Sequence, residues 1–99
     1  MAKYVNVSSS ITVLLDKNSK QNNGTVESIT LSNTNSSASR SVDLYLDSAS
    51  SNDDYYIIKN VVIPVGSSLM LDEEIKFDIK KYSLKIKCNP ASDLSIIIK

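Results

Sequence analysis

Cys88 is the single thiol of the chain, and the sequence contains no histidine. A serine or cysteine nucleophile therefore has no imidazole as its general base, and zinc sites built on histidine are excluded. Cys88 lies at an inward position of an alternating strand, so we expect it to pack as a small apolar side chain. We predict that the protein is not an enzyme and needs no cofactor.

Two acidic clusters offer the oxygen ligands that calcium prefers. They are Asn52-Asp53-Asp54 and Asp72-Glu73-Glu74, and a calcium ion takes about six to eight oxygen atoms. Neither cluster follows the spacing of a recognised calcium loop, and acidic loop tips are common on soluble proteins. We therefore predict no metal site. The two glycines, Gly24 and Gly66, stand too far apart for a phosphate-binding loop.

Tyrosine side chains supply a second kind of candidate site, since the chain has five of them. Tyr45 lies between the inward Leu44 and Leu46 and is therefore expected to point outward. Tyr45 and the pair Tyr55-Tyr56 suit either a platform on which a sugar stacks or an anchor at a protein interface. The chain has no tryptophan, the commonest sugar-stacking residue, which favours the interface or a simple preference of tyrosine for strands.

The elements that must position these side chains are strands. Residues 41–47 alternate apolar and polar side chains with a period of two, which is typical of a strand with one buried face. Residues 55–71 indicate two further strands joined by a Pro64-Val65-Gly66 turn, and residues 82–88 alternate strictly. About eight strands with frequent turns predict an all-β fold, an antiparallel β-sandwich of the jelly-roll or immunoglobulin-like type.

The apolar positions of these strands define the expected core. They are Ile29, Leu31, Val42, Leu44, Leu46, Ile63, Leu69, Leu71, Leu84, Ile86, Leu94, Ile96 and Ile98. Val26 is out of phase with the apolar positions that follow it, so either it faces outward or a bulge near residues 27–28 turns the strand between faces. For residues 74–82 we expect an irregular strand and a turn rather than a helical turn.

Length and composition favour one domain that comprises residues 1–99. The 99 residues and the hydrophobic fraction of 41% suffice for one core without disulfide bonds. The sequence has no apolar run like that of a signal peptide or a membrane span. We therefore expect a protein that is soluble and intracellular when it is synthesised.

The net charge is zero, which argues against nucleic acid and anionic membrane as partners. The charges are nevertheless divided along the chain. Residues 41–74 contain seven acidic residues against Lys59 alone, and residues 76–99 contain six lysines against two aspartates. Either the two segments compensate each other within the fold, or they form complementary surfaces that dock neighbouring copies or another protein.

The order of several motifs resembles that of small β-sandwich virion proteins of tailed bacteriophages. The motifs are Ser32-Asn33-Thr34-Asn35-Ser36, Val42-Asp43-Leu44-Tyr45-Leu46, Tyr56 and Ile63-Pro64-Val65-Gly66-Ser67-Ser68-Leu69, followed by a closing pair of alternating strands. The likeness covers residues 24–99 and departs at residues 78–82, where such proteins carry a tight turn that contains glycine.

This resemblance implies a capsid decoration, head-fibre or neck accessory subunit that is present in many copies. Such a subunit is assembled into the virion in the cytoplasm of a bacterial host. Its expected partners are the major capsid protein or the neck and portal-proximal proteins, together with further copies of itself.

Two kinds of function stay open. One is the virion subunit, and the other is a glycan- or receptor-binding β-sandwich module, which the tyrosines and the polar loop tips would suit. The candidate interface residues are Tyr4, Val5, Val7, Tyr45, Tyr55, Lys85 and Lys87. Residues 4–7 either add as an arm to the sheet of a neighbour or pair within their own domain.

Overall fold

The structure, a computed structural model, describes residues 3–17, 24–48 and 54–99. These ranges contain ten strands and no helix. The strands are β1 (Lys3–Asn6), β2 (Ile11–Leu15), β3 (Thr25–Val26), β4 (Ile29–Asn33), β5 (Arg40–Asp47), β6 (Asp54–Ile63), β7 (Ser68–Leu71), β8 (Ile75–Lys76), β9 (Ser83–Asn89) and β10 (Leu94–Ile98). The prediction of an all-β fold is confirmed, with two strands more than expected. The described part of the chain holds no helix suited to crossing a membrane.

Eight of the strands form two antiparallel four-stranded sheets. Sheet A has the strand order β1-β10-β4-β7, and sheet B has the order β2-β9-β5-β6. In chain order, the first of these eight strands pairs with the last, the second with the seventh, the third with the sixth and the fourth with the fifth. A long hairpin rolled up in this way is a jelly roll rather than an immunoglobulin-like sandwich.

The two remaining strands, β3 and β8, pair with each other outside the main sheets. Gly24 precedes β3 and accepts a hydrogen bond from the Phe77 N–H at 2.9 Å. The N–H groups of residues 27–28 both donate to the Lys99 carbonyl oxygen, at 2.7 and 3.3 Å. The outward alternative for Val26 is wrong, since this side chain is fully buried. The strand is interrupted at residues 27–28, and the chain passes there from the small sheet into sheet A.

The apolar core lies between sheets A and B. Its buried side chains are Val7, Leu14, Leu15, Val26, Ile29, Leu31, Val42, Leu44, Ile63, Leu84, Ile86, Cys88, Leu94, Ile96 and Ile98. Ten of the thirteen predicted core residues are among them, and Leu46, Leu69 and Leu71 are half-buried against the cluster. Cys88 is 1% exposed, in agreement with its predicted inward position.

The connections at both ends of β7 follow the sequence pattern. The Pro64 to Gly66 turn joins β6 to β7, with the Ser67 N–H donating to the Pro64 carbonyl oxygen at 3.1 Å. These two strands belong to different sheets, so the turn carries the chain from sheet B to sheet A. Residues 74–82 contain the short β8 and a turn at residues 79–81, which confirms the expected irregular strand and turn.

Two buried polar side chains hold the loops at one end of the sandwich. The Asn33 amide donates to three backbone carbonyl oxygens, including that of Ile63 at 3.0 Å. Arg40 is 3% exposed, and its guanidinium donates to the Ser92 carbonyl oxygen at 2.6 Å and to the Asp93 carboxylate at 3.4 Å. Buried polar groups are costly unless they are paired, and both side chains meet that condition.

Candidate functional site

The sandwich has two open sides, each formed by one edge strand of each sheet. Among the described strands, β1 and β7 are the edges of sheet A, and β2 and β6 are the edges of sheet B. The Lys3 ammonium on β1 donates to the Leu14 carbonyl oxygen on β2 and so links these two edges. The other side is open as a groove of about 570 Å³ between β6 and β7.

The large exposed apolar side chains of the described residues concentrate on these edges. Tyr4 on β1 is 74% exposed, and Met70 on β7 is 62% exposed. The others are Ile11 and Val13 on β2, Tyr55, Tyr56 and Val62 on β6, Val65 in the turn between β6 and β7, and Ile97 on β10. Eight of the nine thus lie on an edge strand or on the turn that joins two edge strands. Exposed apolar edges are sites for pairing with another chain.

Two rows of side chains cross the outer face of sheet A from edge to edge. One row is Tyr4, Ile97, Thr30 and Met70, and the other is Asn6, Ser95, Ser32 and Ser68. The second row is hydrogen-bonded at both ends. The Ser95 hydroxyl donates to Asn6 Oδ1 at 2.8 Å, and the hydroxyl oxygens of Ser32 and Ser68 lie 2.7 Å apart.

The groove beside β7 has an apolar floor and an acidic rim. Its lining residues are Ile57, Ile58, Met70, Leu71, Ile75 and the cluster Asp72-Glu73-Glu74. The part of the chain that the structure describes contains no group of three or more side chains placed to hold a metal ion. Asn52 and Asp53 of the other acidic cluster lie outside the described residues. Because its floor is apolar and its rim is acidic, the groove suits an apolar segment that carries a positive charge.

The edges of sheet B are irregular, whereas those of sheet A are regular. Register shifts interrupt β2 near Val13 and the pairing of β5 with β6 near Leu44. On β6, Asn60 has a φ of 55° and its N–H donates to Asp43 Oδ1 at 2.6 Å. Bulges of this kind protect edge strands from pairing with other chains. In contrast, β1 and β7 pair with their neighbours without a shift in register.

Tyr45 points away from the core as expected, but neighbouring side chains cover it, so it is not available at the surface. Tyr45 is 7% exposed although it lies outside the core cluster. Its ring packs on Tyr56 with centroids 5.3 Å apart, and its strand neighbour Lys85 forms an ion pair with Asp47 beside it. Burial raises the pKa of the Tyr45 phenol. Because it is buried, the Tyr45 ring offers no open face for a sugar, whereas Tyr56 is 44% exposed and has the Lys59 ammonium 4.7 Å from its ring centroid.

The predicted interface residues do not form one surface. Tyr4, Tyr55 and Lys87 are exposed, Val5 and Lys85 are half-buried, and Val7 and Tyr45 are buried. The Tyr55 ring meets the Tyr82 ring edge to face, with centroids 5.7 Å apart. Val7 continues the pairing of β1, since its N–H donates to the Leu94 carbonyl oxygen at 2.9 Å. Of the two alternatives for residues 4–7, pairing within the same domain is the one that the structure contains.

Ion pairs of the described residues connect the acidic segment 41–74 with the basic segment 76–99: Lys85 pairs with Asp47, and the exposed Lys76 pairs with Glu74 at 3.2 Å. Lys85 and Asp47 lie on neighbouring strands, and both side chains are at most about a quarter exposed. The hydrogen bond that the Lys85 ammonium donates to the Asp47 carboxylate raises the pKa of Lys85. This pair compensates charge within the fold. The cluster Asp72-Glu73-Glu74 lies on the opposite side of the sandwich from Lys3 and remains a surface feature.

The Cys88 thiol is not placed for chemistry. It donates to the Pro90 carbonyl oxygen at 3.1 Å, and burial raises its pKa. Because a thiolate rather than a thiol is the nucleophile, this environment suppresses reactivity.

Neither a family model nor a curated protein matches the sequence. The edge strands of sheet A are therefore the candidate functional site, and what they offer is pairing with another strand.

Proposed function

We propose that this chain is a non-enzymatic virion structural protein of a tailed bacteriophage, either a capsid decoration subunit or a head or neck accessory subunit. The carrying observation is that, among the described residues, eight of nine large exposed apolar side chains lie on the edge strands or the turn between them. A subunit surrounded by neighbours buries such edges, whereas a free monomer leaves them in water.

The fold and the motif order support the same proposal. Jelly rolls occur in viral capsid proteins and in lectins, and this support is an analogy between folds. The motif resemblance over residues 24–99 favours the virion within that group. The partners of the subunit are then the major capsid protein or the neck and portal-proximal proteins, and the site of assembly is the host bacterial cytoplasm.

A glycan- or receptor-binding module is the second candidate, and one feature favours it. A shallow pocket of about 450 Å³ lies where β1 ends and β10 begins. Its polar lining consists of Asn6, Ser8, Thr34, Ser92, Asp93 and Ser95. Hydroxyl, amide and carboxylate groups of this kind suit the hydrogen-bonding groups of a sugar. The burial of Tyr45 takes one of the three tyrosines out of the stacking platform that motivated this function, whereas Tyr55 and Tyr56 are exposed.

Particle composition tests the proposal. The chain is produced together with the genes that neighbour its own, particles are purified on a density gradient, and their proteins are quantified by mass spectrometry. We expect the chain in the particle fraction at a fixed ratio to the main structural protein. The chain produced alone and run on the same gradient is the control for aggregates. Its absence from the particles, together with specific binding on a glycan array, would support the second candidate instead.

A further inference from the structure

We propose that β7 of one copy pairs with β1 of a second copy, so that sheet A continues from copy to copy as one antiparallel sheet. In this pairing Met70 lies opposite Tyr4, and Ser68 lies opposite Asn6. The inference deepens the proposed function, on which its role in a virion rests, because it names the contact between neighbouring copies. The pairing itself is a property of the isolated chain and is tested there.

Strand direction is the first reason. Neighbouring strands of sheet A are antiparallel, and the sheet has four strands. An even number of antiparallel strands leaves the two edges, β1 and β7, running in opposite directions. A second copy placed beside the first in the same orientation therefore brings its β1 antiparallel to β7. The contact is head to tail, and each added copy presents the same free edge again.

The outward backbone groups of β1 are identified by one hydrogen bond. The Val7 N–H donates to the Leu94 carbonyl oxygen at 2.9 Å, in the same register as β1 and β10. Hydrogen-bonded and non-hydrogen-bonded pairs alternate along an antiparallel ladder. The odd-numbered residues of β1 therefore bond to β10. The N–H and carbonyl groups of Tyr4 and Asn6 face away from the sheet.

The same reasoning applies to β7. The Asn33 N–H donates to the Ser67 carbonyl oxygen at 2.9 Å, in the register of β4 and β7. The odd-numbered residues of β7 therefore bond to β4, and the backbone groups of Ser68 and Met70 face away. In the proposed register these groups meet those of Asn6 and Tyr4 of the next copy. The result is about four backbone hydrogen bonds across the junction.

Side chains match along this register on both faces of the sheet. On the outer face, the Met70 thioether meets the Tyr4 ring, a contact of sulfur with an aromatic ring that is favourable. On the inner face, Leu69 lies opposite Val5, and both are half-buried in the isolated chain. Pairing covers the exposed part of each. The polar row that crosses the outer face also continues into the next copy.

Charge fixes which edges meet. Lys3 comes opposite Leu71, and Leu71 is followed directly by Asp72-Glu73-Glu74 on the rim of the groove. The Lys3 ammonium donates to one carbonyl oxygen in its own chain, and an ammonium has further N–H groups for a carboxylate. Two acidic rims, or two Lys3 side chains, would instead repel each other. The head-to-tail contact is therefore favoured over a symmetric one.

Disulfide trapping tests the register. Opposed residues in a hydrogen-bonded pair have Cα atoms about 5.5 Å apart, which is within the range of about 4.4–6.8 Å that a disulfide spans. Within one chain, Tyr4 and Met70 are separated by three strand spacings, about 14 Å. A mixture of the Tyr4→Cys and Met70→Cys variants, treated with a mild oxidant, is expected to give a covalent dimer. A mixture of Tyr4→Cys with Val65→Cys is the matched control.

The outcome of the trapping experiment decides the proposal. Faster cross-linking of Tyr4→Cys to Met70→Cys than to Val65→Cys supports it. Equal rates would overturn it. Dimerisation of either single variant alone that is faster than cross-linking of the Tyr4→Cys and Met70→Cys mixture would also overturn it, because it indicates a symmetric contact. The native Cys88 is buried, and the wild-type chain treated in the same way measures its background.

Sedimentation velocity supplies an independent measurement. The wild-type chain is expected to form species larger than a dimer as its concentration rises, as an open head-to-tail contact requires. Met70→Lys should weaken this association at least tenfold, whereas Val65→Lys, which also places a charge at an exposed apolar position, should leave it unchanged. A wild-type chain that stays monomeric throughout would overturn the inference. If such a chain still entered particles, the proposed function would stand without it.

Discussion

Gly24 and Phe77 approach each other backbone to backbone, and the Phe77 N–H donates to the Gly24 carbonyl oxygen at 2.9 Å. Gly24 has a φ of 73°, and a Cβ atom at this position would overlap the Phe77 carbonyl oxygen. Gly66 has a φ of 66°, but the space around it is open within 4 Å. The two glycines share one backbone requirement and differ in their surroundings.

The Gly24→Ala variant should therefore be much less stable than the Gly66→Ala variant. A left-handed conformation costs an alanine about 1–2 kcal/mol at either position. At position 24 the overlap adds a further cost on the order of 1–3 kcal/mol, because the backbone of β3 and β8 must separate. Urea denaturation of both variants measures the difference. Equal denaturation midpoints of the two variants would show that the backbone of the small sheet accommodates a Cβ atom at position 24 without a loss of stability.

Truncation of Leu44 tests the assignment of the core. Leu44 is fully buried between the sheets, so Leu44→Ala should reduce the free energy of unfolding by about 2–5 kcal/mol through lost burial and a residual cavity. Val62→Ala removes an exposed side chain of the neighbouring strand and should change stability by less than about 0.5 kcal/mol. A denaturation midpoint of Leu44→Ala equal to that of the wild type would contradict the core.

Stability should decline at alkaline pH. Burial raises the pKa values of the Cys88 thiol and the Tyr45 phenol, and the hydrogen bond that Lys85 donates to the Asp47 carboxylate raises the pKa of Lys85. The folded chain thus retains protons that the unfolded chain releases. Their contribution is complete below the ordinary thiol pKa of 9.0 and is lost as the pH rises through the raised values.

Chemical denaturation at pH values from 7 to about 11 measures this decline. Cys88→Val, which keeps an apolar side chain of similar size at the buried site, should remove the part of the decline in stability that begins at the lowest pH. A free energy of unfolding that is constant or rises over this range would contradict the raised pKa values.

Association between copies should weaken with salt and respond to charge reversal. The Debye screening length falls to about 3 Å at 1 M salt. High salt therefore reduces the attraction between Lys3 and the acidic rim at residues 72–74. Lys3→Glu should reduce the association constant, and the addition of Asp72→Lys should restore part of it. Lys87→Glu reverses a lysine on the outer face of sheet B and serves as the control. Sedimentation velocity that shows equal effects of Lys3→Glu and Lys87→Glu would count against a contact at the rim.

Period-two alternation predicted the strands of the sheet interiors well, because each buries one face against the other sheet. Leu44, Ile86 and Ile96 are fully or almost fully buried as this pattern indicates. Tyr45 is the exception, because its burial comes from Tyr56 and Lys85 on the two adjacent strands. The sequence of β5 alone carries no signal for such contacts.

The edges of the sandwich were not predictable in the same way. Whether a strand lies at an edge depends on pairing between distant segments, such as that of β1 with β10. Met70 alternates with Leu69 and Leu71, and this pattern places it on the outer face of a strand. The position of that strand at the edge of sheet A, in one row with Tyr4, emerges only from the strand order.

The assignment as a virion structural subunit is tested most directly by the copy number of the chain in purified particles. Quantitative mass spectrometry measures this number for three forms of the chain. The wild-type chain and Val65→Lys are expected at the same fixed ratio to the main structural protein, and Met70→Lys at a clearly lower ratio. Each form is first shown to be folded by its thermal unfolding transition. Particles that lack the wild-type chain, when particles of normal composition are otherwise recovered, would contradict the assignment as a virion structural subunit.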